Sequence, residues 1–174
     1  MWFSEPPNKE LAIKPMPVFI SHKREDTEKS LLIAKFLKER SVYAYVDALD
    51  PSLQTTDDIT SSLMHYISRS THILAVVSSY TVASWWVPFE IGVASQGNRR
   101  ITTFELERVA LPDFLSKWPV LRTEEDLKDF TDIYKLEVPD AFETRASVGT
   151  AADANRFHAA LKNVLRKHRA ARRG

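Results

Sequence analysis

The residue with the clearest chemical potential in this sequence is Glu90, the single carboxylate of the apolar stretch at residues 84–94. Trp86 stands four residues earlier, and side chains four apart share one face of a helix. A carboxylate among aromatic groups must find a polar partner or lose its charge, because an unpaired buried charge is costly. The stretch therefore predicts a helix that presents an indole beside a carboxylate.

A second polar group follows the apolar run at residues 17–20, which has the β-branched bias of a buried strand. The group comprises Ser21, His22, Lys23 and Arg24. The sequence has only 4 glycines and no G-x-G-x-x-G or P-loop motif, so it excludes a glycine-rich phosphate cradle. The two cations could meet a pyrophosphate instead. Two alternatives stay open: a solvated loop with weak ion pairs, and a histidine satisfied within that loop.

Length and composition indicate a globular protein of 174 residues with 44% hydrophobic and 27% charged residues. We expect an N-terminal arm over residues 1–15 and one domain over residues 16–174. The net charge of +1 argues against nucleic acid as the main partner. There is no cysteine and the 5 histidines lack metal-ligand spacing, so we expect no metal site. No run is long enough to span a membrane, and we expect a cytoplasmic protein without a signal peptide.

The hydrophobic pattern alternates strands with helices along most of the chain. Strands are predicted at residues 17–21, 41–47, 72–78, 100–104 and 119–121. Helices are predicted at residues 27–39, 56–68, from near 86 to 95, after 123, and from 153 onward, with a loop at 136–152. The third strand shows no alternation, as expected for a strand covered on both faces of a parallel sheet. The order of elements predicts an α/β fold with a parallel sheet.

Periodicity within the helices predicts which side chains face the core. The first helix should bury Leu32, Ile33, Phe36 and Leu37. The next should bury Ile59, Leu63 and Ile67, and the helix after residue 123 should bury Leu127, Phe130, Ile133 and Tyr134. The last should turn inward Phe157, Leu161, Val164, Leu165 and His168. The basic run at residues 166–173 is expected to be a solvated helix end.

Ligands of open parallel sheets bind beyond the carboxyl ends of the strands. The predicted ends carry Ser21, Asp47, Ser78 and Glu105. The stretch with Glu90 begins shortly after the third of these ends, so topology brings its carboxylate to the rim where a ligand would bind. Asp47 has two interpretations, a substrate contact or a cap on the loop that follows its strand.

Two motifs together resemble a known family. Residues 18–22, Val-Phe-Ile-Ser-His, look like the first box of the Toll/interleukin-1 receptor homology (TIR) domain. Trp86-x-x-x-Glu90 looks like that family's Trp-x-x-x-Glu motif, and the chain is most similar to the bacterial enzymatic branch. The resemblance implies a flavodoxin-like TIR fold, in which helices flank both faces of a mostly parallel sheet of about five strands.

The resemblance also implies an activity, the cleavage of NAD+ between nicotinamide and ribose. By position, Glu90 matches the essential glutamate of the enzymatic members. The substrate-binding positions that the resemblance suggests are Ser21, His22, Lys23, Arg24, Asp47 and Trp86. NAD+ is then a substrate, and no cofactor is expected. Residues 48–55 match a loop that joins protomers, which implies self-association, and the product could signal to a downstream effector in antiphage defence of the Thoeris kind.

One carboxylate is chemically sufficient to cleave the bond between nicotinamide and ribose. Nicotinamide leaves as a neutral molecule, so the enzyme need only stabilise the ribosyl cation as it develops. Proline is tolerated in a first helical turn, so Pro88 predicts a helix that starts near Trp86, with Glu90 in that turn. We expect Glu90 to be ionised at neutral pH. Trp86 would form a dry wall, with Trp85 or Phe89 packed inward.

Two other functions stay open on the sequence. A non-catalytic TIR adaptor would act through assembly alone, and Glu90 would then only complement a helix N-terminus. A nucleoside deoxyribosyltransferase-like enzyme would also use a glutamate at a ribose. The residues do not decide whether the product is linear, cyclic or conjugated.

Overall fold

The structure is a computed structural model that describes residues 18–46, 56–82, 86–110, 113–137 and 149–172. The predicted arm at residues 1–15 and the predicted contact Asp47 lie outside these residues. Among the helices described, none has the length and apolar character that a membrane span requires.

Five parallel strands form the sheet within the described residues. They are β1 (Val18–Ser21), β2 (Ala44–Val46), β3 (His72–Val77), β4 (Arg100–Glu105) and β5 (Val120–Leu121). Their order across the sheet is β2-β1-β3-β4-β5. Ser21 pairs with Ala75, and Val77 pairs with Glu105, so β1, β3 and β4 end along one edge. The predicted α/β fold with a mostly parallel sheet is confirmed.

Helices flank this sheet in the parts of the chain that the structure describes. They are α1 (Thr27–Glu39), α2 (Thr56–Arg69), α3 (Ser79–Val82), α4 (Trp86–Gln96), α5 (Glu124–Glu137) and α6 (Ala151–Ala171). The predicted bounds of α1 are confirmed at both ends. The single turn α3 was not predicted, nor were the 3-10 turns Arg24–Asp26 and Asp113–Lys117.

The start of α6 follows from its cap. Thr150 accepts a hydrogen bond from the backbone N–H of Asp153, and the Asp153 carboxylate accepts one from the backbone N–H of Thr150. This reciprocal box satisfies two N–H groups that have no partner inside a helix. The helix therefore begins at Ala151, two residues before the predicted start.

Two apolar layers cover the two faces of the sheet. Because side chains alternate along a strand, Val18 and Ile20 enter one layer and Phe19 enters the other. The first layer joins the sheet to α1, α5 and α6, and the second joins it to α2 and α4. All six side chains of β3 are buried, as the absence of alternation predicted.

Most of the predicted inward positions whose side chains the structure describes are at least partly buried, and two of them are wrong. The side chains of Ile59 and Leu63 lie outside the described part. Leu32 is 54% exposed, because the buried face of α1 follows Ile33 and Leu37 and Leu32 lies one residue off it. The His168 side chain is also 54% exposed, since its ring lies against Asp129 on α5 at 2.8 Å instead of entering the core. The four predicted core residues of α5 are all buried.

Candidate functional site

The helix that carries Glu90 starts where its proline predicts. α4 begins at Trp86, so Pro88 is its third residue, where a backbone N–H would have no partner within the helix. Glu90 is the fifth residue, and no acidic residue lies in the first turn. The predicted start is confirmed, but the placement of Glu90 in the first turn is wrong. A role limited to complementing the helix N-terminus is correspondingly weakened, because that effect fades beyond the first turn.

Glu90 lies on the buried face of α4. Its side chain is 0% exposed, and its neighbours on that face, Val87 and Ile91, are buried in the layer that covers the sheet. Phe89 is 44% exposed, so it is not the inward-packing aromatic. The carboxylate is therefore held between the helix and the sheet, and its polar partners decide its chemistry.

Ser21 is the partner that the sheet supplies. It follows Phe19 by two residues and so faces the α4 side of the sheet. Ser21 is fully buried, and its Oγ donates a hydrogen bond to Oε2 of Glu90. Two residues predicted from separate motifs, one at the end of β1 and one on α4, are thus in direct contact.

The three predicted residues that follow Ser21 differ in how far their side chains are exposed. His22 is buried, and its Nε2 lies 3.0 Å from Oγ1 of Thr27. Thr27 in turn donates to the carbonyl of Arg24 at 2.7 Å. Lys23 is half-buried and Arg24 is exposed, so both cations are accessible at the rim. His22 therefore contacts the first residue of α1, and this contact leaves both interpretations of His22 open.

A buried carboxylate that the sequence did not indicate lies beside this segment. Asp26 is 4% exposed and accepts a hydrogen bond from Oγ of Ser78 at 2.6 Å. The same Ser78 hydroxyl accepts the backbone N–H of Tyr80 at 3.2 Å, while the N–H of Ser78 donates to Thr81 at 3.1 Å. The turn after β1 is therefore tied to the turn after β3, close to where α4 begins.

Asp26 was overlooked because it stands in a charged run, residues 22–26, that is typical of a solvated loop. Asp26 departs from this pattern because its side chain is buried. The 3-10 turn Arg24–Asp26 changes the direction of the chain and points this one side chain inward. A sequence signal did exist, since Ser78 directly follows an apolar strand and a buried hydroxyl needs a partner.

The structure leaves two of the predicted positions without a described side chain. Trp86 opens α4, but only its backbone belongs to the described part, and Asp47 lies outside it altogether. Among the described residues, no group of three or more histidine and acidic side chains could hold a metal ion. The positions brought together at the edge are thus Ser21 and Glu90, with His22, Lys23 and Asp26 around them.

The chemistry of this arrangement is that of a fixed, desolvated carboxylate. A carboxylate among apolar groups interacts strongly with any positive charge that develops near it, because little water screens the interaction. It can also accept hydrogen bonds from hydroxyl groups, as it does from Ser21. Lys23 and Arg24 add positive charge at the rim, which suits an anionic ligand.

Solved structures share this fold at low sequence identity. The TIR domain of the Toll-related receptor TRR-2 from Hydra magnipapillata superposes with a TM-score of 0.54 at 17% identity, covering 71% of this chain and 96% of that one. A 2-deoxyribosyltransferase from Bacillus psychrosaccharolyticus gives a TM-score of 0.54 at 6% identity, covering 64% and 90%. At such identities the likeness shows the fold alone. No curated protein sequence matches the chain.

Family membership rests on the sequence model rather than on these superpositions. The model of the TIR domain family matches residues 18–136, which is more than half of the chain and includes both motifs together with β1, β3 and α4. The structure supplies the parallel sheet and flanking helices that the family fold requires. The chain belongs to the TIR domain family.

Proposed function

We propose that this chain cleaves NAD+ at the bond between nicotinamide and ribose, with Glu90 as the essential carboxylate. The observation that supports the proposal most strongly is the fixed position of Glu90 at the carboxyl edge of the sheet, where Ser21 donates to it. Family membership contributes the expectation that the Trp-x-x-x-Glu glutamate acts on NAD+. The proposed activity is that of an NAD+ nucleosidase or ADP-ribosyl cyclase.

In the proposed reaction the bond between C1′ of ribose and N1 of nicotinamide breaks. The electron pair stays on the nicotinamide nitrogen, which loses its positive charge, and the ribose becomes an oxocarbenium-like cation. Glu90 stabilises that cation and accepts hydrogen bonds from the ribose hydroxyls. Water then adds at C1′ and releases a proton to give ADP-ribose, or an atom of the same molecule adds to give a cyclic product.

A ribose hydroxyl can donate a hydrogen bond to Glu90 alongside Ser21. Both groups are hydroxyl donors, and a carboxylate oxygen can accept more than one hydrogen bond. Substrate entry therefore requires no loss of hydrogen bonding at Glu90. We assign Lys23 and Arg24 to the pyrophosphate and His22, Trp86 and Asp47 to the remaining walls of the substrate site.

We further propose that the product is a signal. A TIR enzyme that releases a linear or cyclic derivative of ADP-ribose could activate a separate effector, as expected for antiphage defence of the Thoeris kind. Self-association of the TIR domains would then switch the activity on. This step rests on the family resemblance and depends on the proposed cleavage of NAD+.

The direct test follows nicotinamide release from NAD+ by the purified chain. Glu90→Gln keeps the size of the side chain and removes its charge, and we expect turnover to fall by about 100-fold or more. Glu125→Gln, at an exposed position of α5, is the matched control and should leave turnover unchanged. Activity of Glu90→Gln equal to that of the wild type would overturn the mechanism. The assay should include high protein concentration, because turnover is expected to need assembly.

A second function, a non-catalytic adaptor that acts through assembly, is favoured by one observation. Glu90 is 0% exposed, as a purely structural carboxylate would be. If neither the wild type nor Glu90→Gln released nicotinamide while the chain self-associated in sedimentation experiments, the adaptor function would be supported. Turnover of deoxynucleosides without turnover of NAD+ would instead support a deoxyribosyltransferase-like activity.

A further inference from the structure

A cleft lined by arginines lies at the other end of the sheet's carboxyl edge. It has a volume of about 370 Å³ and is bordered by Arg108, Arg122, Arg169 and Arg172 together with Glu105 and Asp126. Glu105 ends β4, and Arg122 directly follows β5. The cleft is therefore built on β4, β5 and the end of α6, and its lining includes neither Ser21 nor Glu90.

Two of the arginines have a clear structural role. Arg169 contacts the buried carboxylate of Asp126 at 2.5 Å, and Arg172 contacts it at 3.3 Å. Arg169 also donates to the carbonyl of Val120 at 2.6 Å. These contacts fix the end of α6 against α5 and β5. The interpretation of the basic run as a solvated helix end is thus wrong for Arg169, which is half-buried, whereas Arg172 is exposed while it pairs with Asp126.

The other two arginines have donors to spare. Arg122 uses Nε on Glu105 at 2.5 Å, but its side chain is 43% exposed and lines the cleft. Arg108 is exposed, and no ion pair links it to an acidic side chain in the described part of the chain. The loop that carries it is anchored, because Glu107 accepts the backbone N–H of Ser79 at 2.7 Å.

The charges of the lining do not cancel. Four guanidinium groups face two carboxylates, which leaves two net positive charges around the cleft. Asp129 is not part of the lining, but it lies 3.8 Å from Arg172 and offsets part of this surplus. Surplus guanidinium groups in a concave site favour a multivalent anion, and their planar donor geometry matches phosphate oxygens.

We propose that this arginine cleft binds a small molecule through a phosphate or diphosphate group, at a site separate from the Ser21–Glu90 pair. Arg108 and the free donors of Arg122 make the main contacts, and Arg172 completes the site from α6. The volume matches a small-molecule site, since such pockets start at about 300 Å³. The proposal does not depend on NAD+ cleavage, because its residues belong to a different part of the edge.

Titration calorimetry with inorganic pyrophosphate at constant ionic strength tests this site. We expect saturable binding to the wild type, about tenfold weaker binding to Arg108→Gln, and no loss in Lys167→Gln. Lys167 is the matched control because it is an exposed cation on α6 outside the cleft lining. ADP in a parallel titration distinguishes a nucleotide from a free inorganic anion, since only a nucleotide site would hold ADP more tightly than pyrophosphate.

A variant that should strengthen pyrophosphate binding makes the test more specific. Glu105→Gln removes the carboxylate that engages Arg122, so it should strengthen pyrophosphate binding by several-fold while Arg108→Gln weakens it. Circular dichroism of each variant verifies that it is folded. The proposal is overturned if wild-type binding does not saturate by about 10 mM pyrophosphate, a concentration at which a site with a dissociation constant of about 1 mM is about 90% filled. It is equally overturned if Lys167→Gln weakens binding as much as Arg108→Gln does.

Discussion

Ser21 donates its hydroxyl hydrogen to Glu90, although the two residues are 69 positions apart in the sequence. One ends a central strand and the other stands in the second turn of the helix packed on that strand. Both side chains are 0% exposed. The contact therefore joins the two motifs of the family at one buried point, and the position of the Glu90 carboxylate depends on it.

Removing this donor should affect both activity and stability. In Ser21→Ala the buried Glu90 carboxylate loses a hydrogen bond, and we expect a loss of about 1–3 kcal/mol in the free energy of unfolding. Nicotinamide release should fall as well, because the carboxylate is no longer fixed. Urea denaturation and the release assay measure the two effects.

Ser30→Ala is the matched control for that change. Ser30 is also fully buried, but it lies on α1, and no hydrogen bond of its side chain to a described residue is found. It should change the free energy of unfolding by less than Ser21→Ala, since no charged partner is left behind. An equal loss of stability in both variants would show that burial of a serine, and not its bond to Glu90, is what matters.

The hydrogen bond between Ser78 and Asp26 gives a second prediction. Asp26→Ala leaves the Ser78 hydroxyl without its acceptor and should lower the free energy of unfolding by about 1–3 kcal/mol. Asp26→Asn retains an oxygen that can accept the same hydrogen bond, so it should cost less. Because the contact holds the turn after β1 against the turn after β3, hydrogen exchange should accelerate in both turns of Asp26→Ala. Acceleration in only one turn would contradict a shared clamp.

The sequence predicted the fold and the position of Glu90 at the carboxyl edge of the sheet, because both follow from local patterns and the order of the elements. It did not predict the contact of Glu90 with Ser21, which joins residues 69 positions apart. The apolar run of β3, the helix start at Trp86 that Pro88 indicates and the two motifs are each recognisable within a few adjacent residues. Leu32 was misplaced because two candidate faces of α1 differ by one residue, and only packing selects between them. Asp26 and Arg169 were missed for a different reason. Their partners, Ser78 and Asp126, lie far away in sequence, and charge runs carry no information about which member turns inward.

Two histidines, His72 fully buried and His158 half-buried, predict how stability depends on pH. Burial lowers the pKa of His72 from 6.5 to about 4, even though Glu137 acts in the opposite direction. Burial, assisted by the nearby charge of Lys162, lowers the pKa of His158 to about 4 as well. His158 also accepts the backbone N–H of Ile101 at Nε2 over 2.9 Å, which requires that nitrogen to be unprotonated. Both rings are therefore neutral in the folded chain.

The lowered pKa values of the two histidines determine whether stability rises or falls with pH. Each histidine binds a proton more readily in the unfolded chain, so its contribution to stability is complete above pH 6.5 and is lost as the pH falls toward 4. The free energy of unfolding should fall by up to about 1.4 kcal/mol per pH unit for each histidine. Urea titrations between about pH 7 and pH 5 measure this slope before most carboxylates titrate.

His158→Gln separates one histidine from the other. Glutamine can accept the N–H of Ile101 through its side-chain oxygen, but it does not titrate. The change in the free energy of unfolding between about pH 7 and pH 5 should therefore be smaller in His158→Gln than in the wild type, because the contribution of His158 is lost. His65→Gln, at an exposed position of α2, controls for the loss of an imidazole from the surface. An unchanged slope in His158→Gln would mean that this ring is not the group that titrates.

Asp126 should also make stability fall as the pH falls, but nearer the acid end of the pH range. Burial alone would raise its pKa, but hydrogen bonds from Arg169 and from the backbone N–H of Arg122, with the charge of Arg172, hold the pKa below its usual value of 3.8. A carboxyl group with a lowered pKa stabilises the folded chain above its unfolded value and loses that effect as the pH falls through the folded one. Asp126→Asn should thus lower the free energy of unfolding by about 1–3 kcal/mol near neutral pH.

The difference between Asp126→Asn and the wild type should shrink as the pH drops below about 4, because the wild-type carboxylate is then increasingly protonated in the unfolded chain. Asp132→Asn, at an exposed position of the same helix, should show no comparable difference at either pH. Since Arg169 and Arg172 attach the end of α6 through Asp126, amide exchange near the C-terminus of α6 should accelerate in Asp126→Asn alone. A difference in stability that stays constant across this pH range would mean that Asp126 acts by packing, because only a titrating carboxylate ties the attachment of α6 to pH.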